Sequence, residues 1–132
     1  GGNQFKPMAS LSLIEEEAMA TVNELPFAVD SIAISDALPR TDELIYINIT
    51  TCEQKSYCLE LSAHGWRVVS TRHDHLDERP ENKELSDRYF ETAYQFLDVV
   101  SPAYRQRFGN KLIAELYKLS NDKEHSSPSG SL

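Results

Sequence analysis

Two hydrophobic periods alternate along this chain, and the places where one gives way to the other divide it into elements. Leu11, Ile14, Ala18, Val22 and Leu25 recur at three- and four-residue spacing, which lines up one buried face of a helix. Ser12-Leu13-Ile14-Glu15 has the S-x-x-E form of a capping box, and Glu15, Glu16 and Glu17 follow in the first turn, where the helix dipole favours negative charge. A helix is predicted over 12–25. Pro26 ends it, because proline disfavours helical geometry in the residue before it and brings no N–H. The period then shortens to two. Phe27 to Ile34 holds a short first strand, and Leu38-Pro39-Arg40-Thr41-Asp42 is a loop. In Leu44 to Thr50, Ile45, Ile47 and Ile49 face one way and Tyr46 and Asn48 the other. Beyond a polar turn, Tyr57, Leu59 and Leu61 alternate against Cys58 and Glu60. Ala63-His64-Gly65 turns the chain again, and Trp66 to Thr71 is a further strand with Trp66 and Val68 on one face. Strands joined by turns this short form an antiparallel meander with one face covered.

The helical period returns after a polar loop, His73 to Lys83, which contains Pro80. Ser86 is a candidate cap for a helix from Asp87 to Val99, where Tyr89/Phe90, Ala93, Phe96/Leu97 and Val100 keep the spacing. Ser101-Pro102 breaks the chain and restarts it as a last helix, with Ser101 as N-cap and Pro102 in the first turn, where its missing N–H is not needed. At about 100° per residue, Tyr104, Phe108, Leu112, Leu116 and Leu119 share a stripe roughly 120° wide, with Ile113 and Tyr117 on its flank. That is more apolar surface than one seam needs. Either the domain wraps this helix on two sides or part of it meets a partner. Gly109-Asn110, inside the stripe, is a C-cap signal. It predicts a kinked or two-piece helix, with Tyr104 on the part fixed to the domain and Leu112 to Leu119 on the part that can meet a partner. The outline is an α+β fold: an N-terminal helix, an antiparallel meander of three to four strands, and two C-terminal helices packed on one sheet face. Residues 1–9 read as a flexible arm, 10–119 as a single domain and 120–132 as a disordered polar tail.

Composition narrows the function classes. The chain has 132 residues, 40% hydrophobic and 26% charged, enough for one small domain with tails. Its net charge of −8 disfavours nucleic acid and anionic membranes as partners, since both call for basic surface. No apolar run approaches the roughly 20 residues of a membrane-spanning helix, and GGNQFKPM lacks the hydrophobic segment of a signal peptide. Two cysteines, Cys52 and Cys58, are too few for a disulfide scaffold and point to a reducing, intracellular setting. A monomer is expected, because nothing in the composition requires more.

Candidate chemistry is sparse. His73-Asp74-His75, with Asp77 and Glu78 close by, is the one metal-like cluster, but no further ligand stands at a familiar spacing, so a solvated acidic loop is the expected reading. Cys58 would need an activating base and an electropositive surrounding to act as a nucleophile, and His64 across a turn is the nearest base. There is no G-x-S-x-G, no phosphate loop and no G-x-G-x-x-G. No catalytic residue, metal or cofactor is therefore assigned, and an enzyme is not expected. Trp66 and the tyrosines read as core and rim.

Certain runs carry a resemblance. Tyr46-Ile47-Asn48-Ile49, Tyr57-Cys58-Leu59-Glu60-Leu61, Gly65, Val68-Val69, Glu91-Thr92, Ser101-Pro102-Ala103-Tyr104-Arg105 and Phe108-Gly109-Asn110, with Val22-Asn23 and Phe27-Ala28-Val29 further back, resemble the glycogen synthase kinase-3 interaction protein family from about Leu13 to Leu119. A similar domain occurs inside larger clustered-mitochondria proteins. The resemblance implies a non-enzymatic adaptor or scaffold, cytoplasmic or also nuclear, in kinase signalling including the Wnt pathway. Its C-terminal helix would dock onto glycogen synthase kinase-3, much as the kinase-binding helix of axin does, and restrain that kinase. The matching apolar positions are Phe108, Leu112, Ile113, Leu116 and Leu119. One departure stands among them: Glu115 replaces a basic residue of the family pattern, and Tyr117 and Lys118 replace an acidic and a small one, which implies weaker or differently oriented binding. The family also anchors the regulatory subunit of cyclic-AMP-dependent protein kinase. Val22 matches one apolar position of that site and Pro26 falls on the other, so anchoring is expected to be weak or lost.

Overall fold

A computed structural model describes residues 10–80 and 82–126. Helix α1 spans Leu13–Glu24, and its capping box is formed in full: the Ser12 hydroxyl accepts from the Glu15 N–H, while the Glu15 carboxylate accepts from the Ser12 N–H. Pro26 lies in a 3-10 turn, Leu25–Phe27, that follows α1 directly. This turn occupies the start of the segment expected to be a strand. β1 accordingly begins later, at Ser31–Ile34, and is followed by β2 (Ile45–Thr50), β3 (Ser56–Ser62) and β4 (Gly65–Ser70). The four strands form one antiparallel sheet in the order β1-β2-β3-β4, the meander that the alternation predicts. Its register pairs Ile47 with Leu59 and Leu59 with Val68, so one face is lined with branched apolar side chains.

That face makes the core. Ile45, Ile47, Ile49, Tyr57, Leu59, Leu61, Trp66 and Val68 pack with Ala18 and Leu25 from the N-terminal side and with Phe90, Phe96, Leu97 and Tyr104 from the C-terminal side. Trp66 is fully buried, and its indole N–H donates to Glu17 of α1 at 2.7 Å, which ties the helix to the sheet at a polar point. The opposite face carries a smaller cluster of Tyr46, Cys58 and Val69, against which Leu38 and Leu44 pack. The helices thus lie on one sheet face, as the fold class requires, and irregular segments cover part of the other.

The C-terminal third departs from the sequence reading at three points. The expected helix from Asp87 to Val99 is divided. Asn82, not Ser86, caps a short helix, α2 (Lys83–Ser86), and Thr92 caps α3 (Ala93–Val100). Between them Phe90 exchanges two backbone hydrogen bonds with Trp66, at 2.7 and 2.8 Å, which holds it extended and prevents helix there. Gly65 makes this possible. Its φ is +117°, and a Cβ in its place would lie 2.5 Å from the Phe90 carbonyl oxygen. Second, the last helix, α4, is unbroken from Pro102 to Ser126, through Gly109 and Asn110. Gly109 is helical rather than left-handed, so no C-cap forms. Third, α4 does not stop at Leu119. Residues 120–126 are polar but include no proline or glycine, and the next helix-breaking residue is Pro128. The expected arm at 1–9 and residues 127–132 of the expected tail lie outside the described residues.

Candidate functional site

Helix α4 is built from two halves of one amphipathic pattern. At its base Ser101 is fully buried and caps as the sequence predicts: its hydroxyl accepts from the Tyr104 N–H at 3.1 Å. Tyr104 is 4% exposed and its ring lies 5.6 Å from that of Phe108, which is half-buried against the core. Tyr94 of α3 faces both rings. Beyond Phe108 the helix leaves the domain. Leu112 is 46% exposed, Leu116 and Leu119 each 65%, Ile113 67% and Tyr117 69%. The stripe that covers the core at Tyr104 therefore runs on, uncovered, over the next three turns. Among the described residues, the domain does not wrap this half of the surplus apolar surface.

The base of α4 is held from a distant turn. Thr51 to Lys55 connect β2 to β3, with Gln54 in the left-handed region at φ 63° and the Thr51 N–H donating to the Lys55 carbonyl at 2.9 Å. This turn brings Glu53 to the start of α4. One carboxylate oxygen accepts from the Ser101 hydroxyl at 2.8 Å, the other from the Ala103 N–H at 2.9 Å. Burial pushes the Glu53 carboxyl up, but the hydrogen bonds from Ala103 and Ser101 outweigh it and hold the group below its ordinary value. Nothing local in the sequence marks this contact, because Glu53 stands in a polar turn about fifty residues before its partners.

Other surroundings of α4 were also not legible. Val99 at the end of α3 is 49% exposed. Together with Tyr94, Tyr104, Arg105 and Phe108 it lines an open groove between α3 and α4 that continues the exposed stripe onto the domain. Glu115 is paired on the helix flank: Lys111 Nζ lies 2.9 Å from its carboxylate, at the i,i+4 spacing that favours such a pair. Lys111 also sits 5.1 Å from the Phe27 ring, which links the start of the exposed half to the turn after α1.

The positions singled out for the anchoring site lie elsewhere. Val22 is half-buried on α1, and Pro26 is exposed in the 3-10 turn, beyond the last residue of that helix. The neighbouring Leu25 is fully buried in the core.

The chemistry candidates have structural duties. Asp74 adopts φ 59°, and its carboxylate accepts from Ser35 at 2.5 Å and Asn48 at 2.8 Å while its N–H donates to the Asn48 side chain at 3.0 Å. Hydrogen bonds from Ser35 and Asn48 hold its carboxyl below the ordinary value. His73 Nε2 lies 3.2 Å from both the Ile49 carbonyl and the Thr50 hydroxyl. The loop is thereby clamped to β2. Among the described residues no three His, Cys, Asp or Glu side chains converge as a metal-binding group. Cys58 and His64 are not brought together. Cys58 is fully buried beside Tyr46 and Val69, and burial pushes its thiol up, away from the thiolate a nucleophile needs. His64 lies against Tyr89, with ring centroids 5.6 Å apart and the planes tilted by 48°. No helix among the described residues is long and apolar enough to cross a membrane.

Comparisons with known proteins place the chain in a family. The family model of the GSKIP domain matches residues 14–119. The mouse (Mus musculus) GSK3B-interacting protein is 40% identical over 86% of this chain and 78% of its own length. The human (Homo sapiens) GSK3B-interacting protein is 42% identical over 80% of this chain and 73% of its own. A GSKIP homologue of Drosophila melanogaster is 34% identical over 70% and 76%. The matched span takes in α1, the whole sheet and the exposed half of α4, and the chain belongs to the GSKIP domain family.

Proposed function

We propose that this chain is a non-enzymatic adaptor that docks onto glycogen synthase kinase-3 through the exposed half of α4. The observation that carries the reading is the burial contrast along one helix: Tyr104 packs into the domain, while Leu112, Ile113, Leu116 and Leu119 stand in solvent on a continuous apolar surface. Contiguous apolar exposure of this kind marks a surface that a partner covers. The relatives' names, which describe proteins that interact with that kinase, supply the partner. Phe108, Leu112, Ile113, Leu116 and Leu119 are the contact residues, in the manner of an amphipathic helix laid in a groove. Each leucine-sized side chain contributes about 1.5–3 kcal/mol if fully buried, less the cost of association. Binding of this kind restrains or positions the kinase without chemistry of its own.

The pairing of Glu115 with Lys111 reduces the repulsion that Glu115 would exert on an acidic partner surface, so the departure weakens binding rather than abolishing it. Anchoring of the regulatory subunit of cyclic-AMP-dependent protein kinase is weak or absent. Val22 is half-buried and α1 ends at Glu24, so Pro26 cannot extend a docking helix.

The test is a binding titration with glycogen synthase kinase-3, comparing the natural chain with Leu116→Asp, and circular dichroism to verify folding. A loss of at least about tenfold is expected, from one leucine contact. Unchanged binding by the folded variant would sink the proposed site.

A further inference from the structure

We propose that Glu53 is a positioning residue for the docking helix, a latch that fixes the angle at which α4 leaves the domain. The role rests on the docking reading above. The two oxygens of its carboxylate are used separately. One accepts a hydrogen bond from the Ser101 hydroxyl and the other accepts from the Ala103 N–H. Ser101 Oγ, oriented by that donation, turns a lone pair to the Tyr104 N–H. Two of the first N–H groups of α4 are thus satisfied by a pair of side chains 48 positions apart in the chain, where a simple N-cap would serve one. The negative charge also stands at the positive end of the helix dipole.

The placement matters because α4 is a lever. At about 1.5 Å rise per residue, Leu119 stands roughly 25 Å from Pro102. A tilt of about 10° at the base swings it by roughly 4 Å, enough to lose register in a groove. Past Phe108 the large side chains of the apolar stripe, Leu112, Leu116 and Leu119, are exposed and lie outside the core cluster of the described residues. The angle is therefore set by the Tyr104 and Phe108 rings, by Lys111 over Phe27 and by the Glu53 latch. A partner must read that angle, since the apolar surface crosses the joint: Val99 belongs to α3, whereas Phe108 and Leu112 belong to α4. The turn that carries Glu53 is itself stiff. Gln54 is left-handed, and Thr51 and Lys55 close the turn by backbone and side-chain hydrogen bonds.

The experiment combines orientation and affinity in the full chain. Residual dipolar couplings of the amide N–H vectors report whether α4 and the sheet tumble as one body. For the natural chain, couplings of residues 105–119 should fit the same alignment as the sheet. In Glu53→Ala the sheet couplings should persist while those of α4 shrink, and affinity for glycogen synthase kinase-3 should fall about three- to tenfold. Glu53→Gln, which keeps one acceptor, should lie between the two. Couplings of α4 that are unchanged in Glu53→Ala would overturn the latch, as would a reoriented helix that binds with natural affinity. The docking reading fails separately, if folded Leu116→Asp binds like the natural chain. Should Glu53→Ala lose the sheet signals, Glu53→Gln carries the decision by the same two criteria.

Discussion

The two halves of α4 share one hydrophobic stripe and meet opposite fates. From Ser101 to Phe108 the stripe closes the core: Ser101 is fully buried, Tyr104 is nearly so, and three aromatic rings from α3 and α4 pack together. From Leu112 to Leu119 the same spacing of large apolar residues faces solvent. The helix runs unbroken through both, Gly109 included. Amphipathic periodicity therefore states that a helix has an apolar face, and the surrounding topology decides what covers it. Here α3 is only eight residues long, so it supports the first turns of α4 and no more.

The contrast can be broken by mutation. Tyr104→Ala should destabilise the domain by about 3 kcal/mol, the range for a large buried aromatic, read by urea denaturation. Less is expected from Ser101→Ala, about 1–2 kcal/mol, since it removes a cap and the donor to Glu53. That second loss should depend on pH. The Glu53 carboxyl is depressed in the folded state, so its stabilisation is complete above its ordinary value of 4.5 and is lost as pH falls through the folded value. The gap between Ser101→Ala and the natural chain should narrow in that acid range. Gly109→Ala has the opposite sign. A Cβ there meets nothing within 4 Å and the residue is helical, so the substitution should stabilise α4 by up to about 1 kcal/mol, seen as slower amide exchange around Asn110. Destabilisation would imply that the helix is broken at this point after all. The smallest effect belongs to Leu116→Ala, within about 0.5 kcal/mol on stability, because the side chain is exposed. A larger loss would mean that this half of α4 packs on the domain in solution.

Much of the fold could be read from the chain because its signals are local. The Ser12–Glu15 capping box, the alternation of Ile45, Ile47 and Ile49 and the Ser101-Pro102 start each predict an element within a residue or two of where it stands. The failures are long-range. The gap between α2 and α3 exists because Phe90 bridges to Trp66, twenty-four positions away, and the helical spacing around Phe90 gave no warning of it. The latch on α4 comes from Glu53, separated from Ser101 by 48 positions, in a turn whose composition looks ordinary. The end of α4 differs for another reason: polarity after Leu119 predicts a disordered tail, whereas the helix continues to Ser126, through residues with no proline or glycine to stop it. For the proposed docking surface the stripe itself is legible in the sequence and its exposure is not.

The central claim is that the outer half of α4 is a docking surface and the inner half is core. Amide hydrogen exchange of the full chain, measured alone and with saturating glycogen synthase kinase-3, tests it most directly. The account predicts new protection at residues 110–119, with exchange in β2 and β3 unchanged because those strands are already buried. Protection confined to the sheet or to α1, with residues 110–119 exchanging as fast as in the unbound chain, would contradict it.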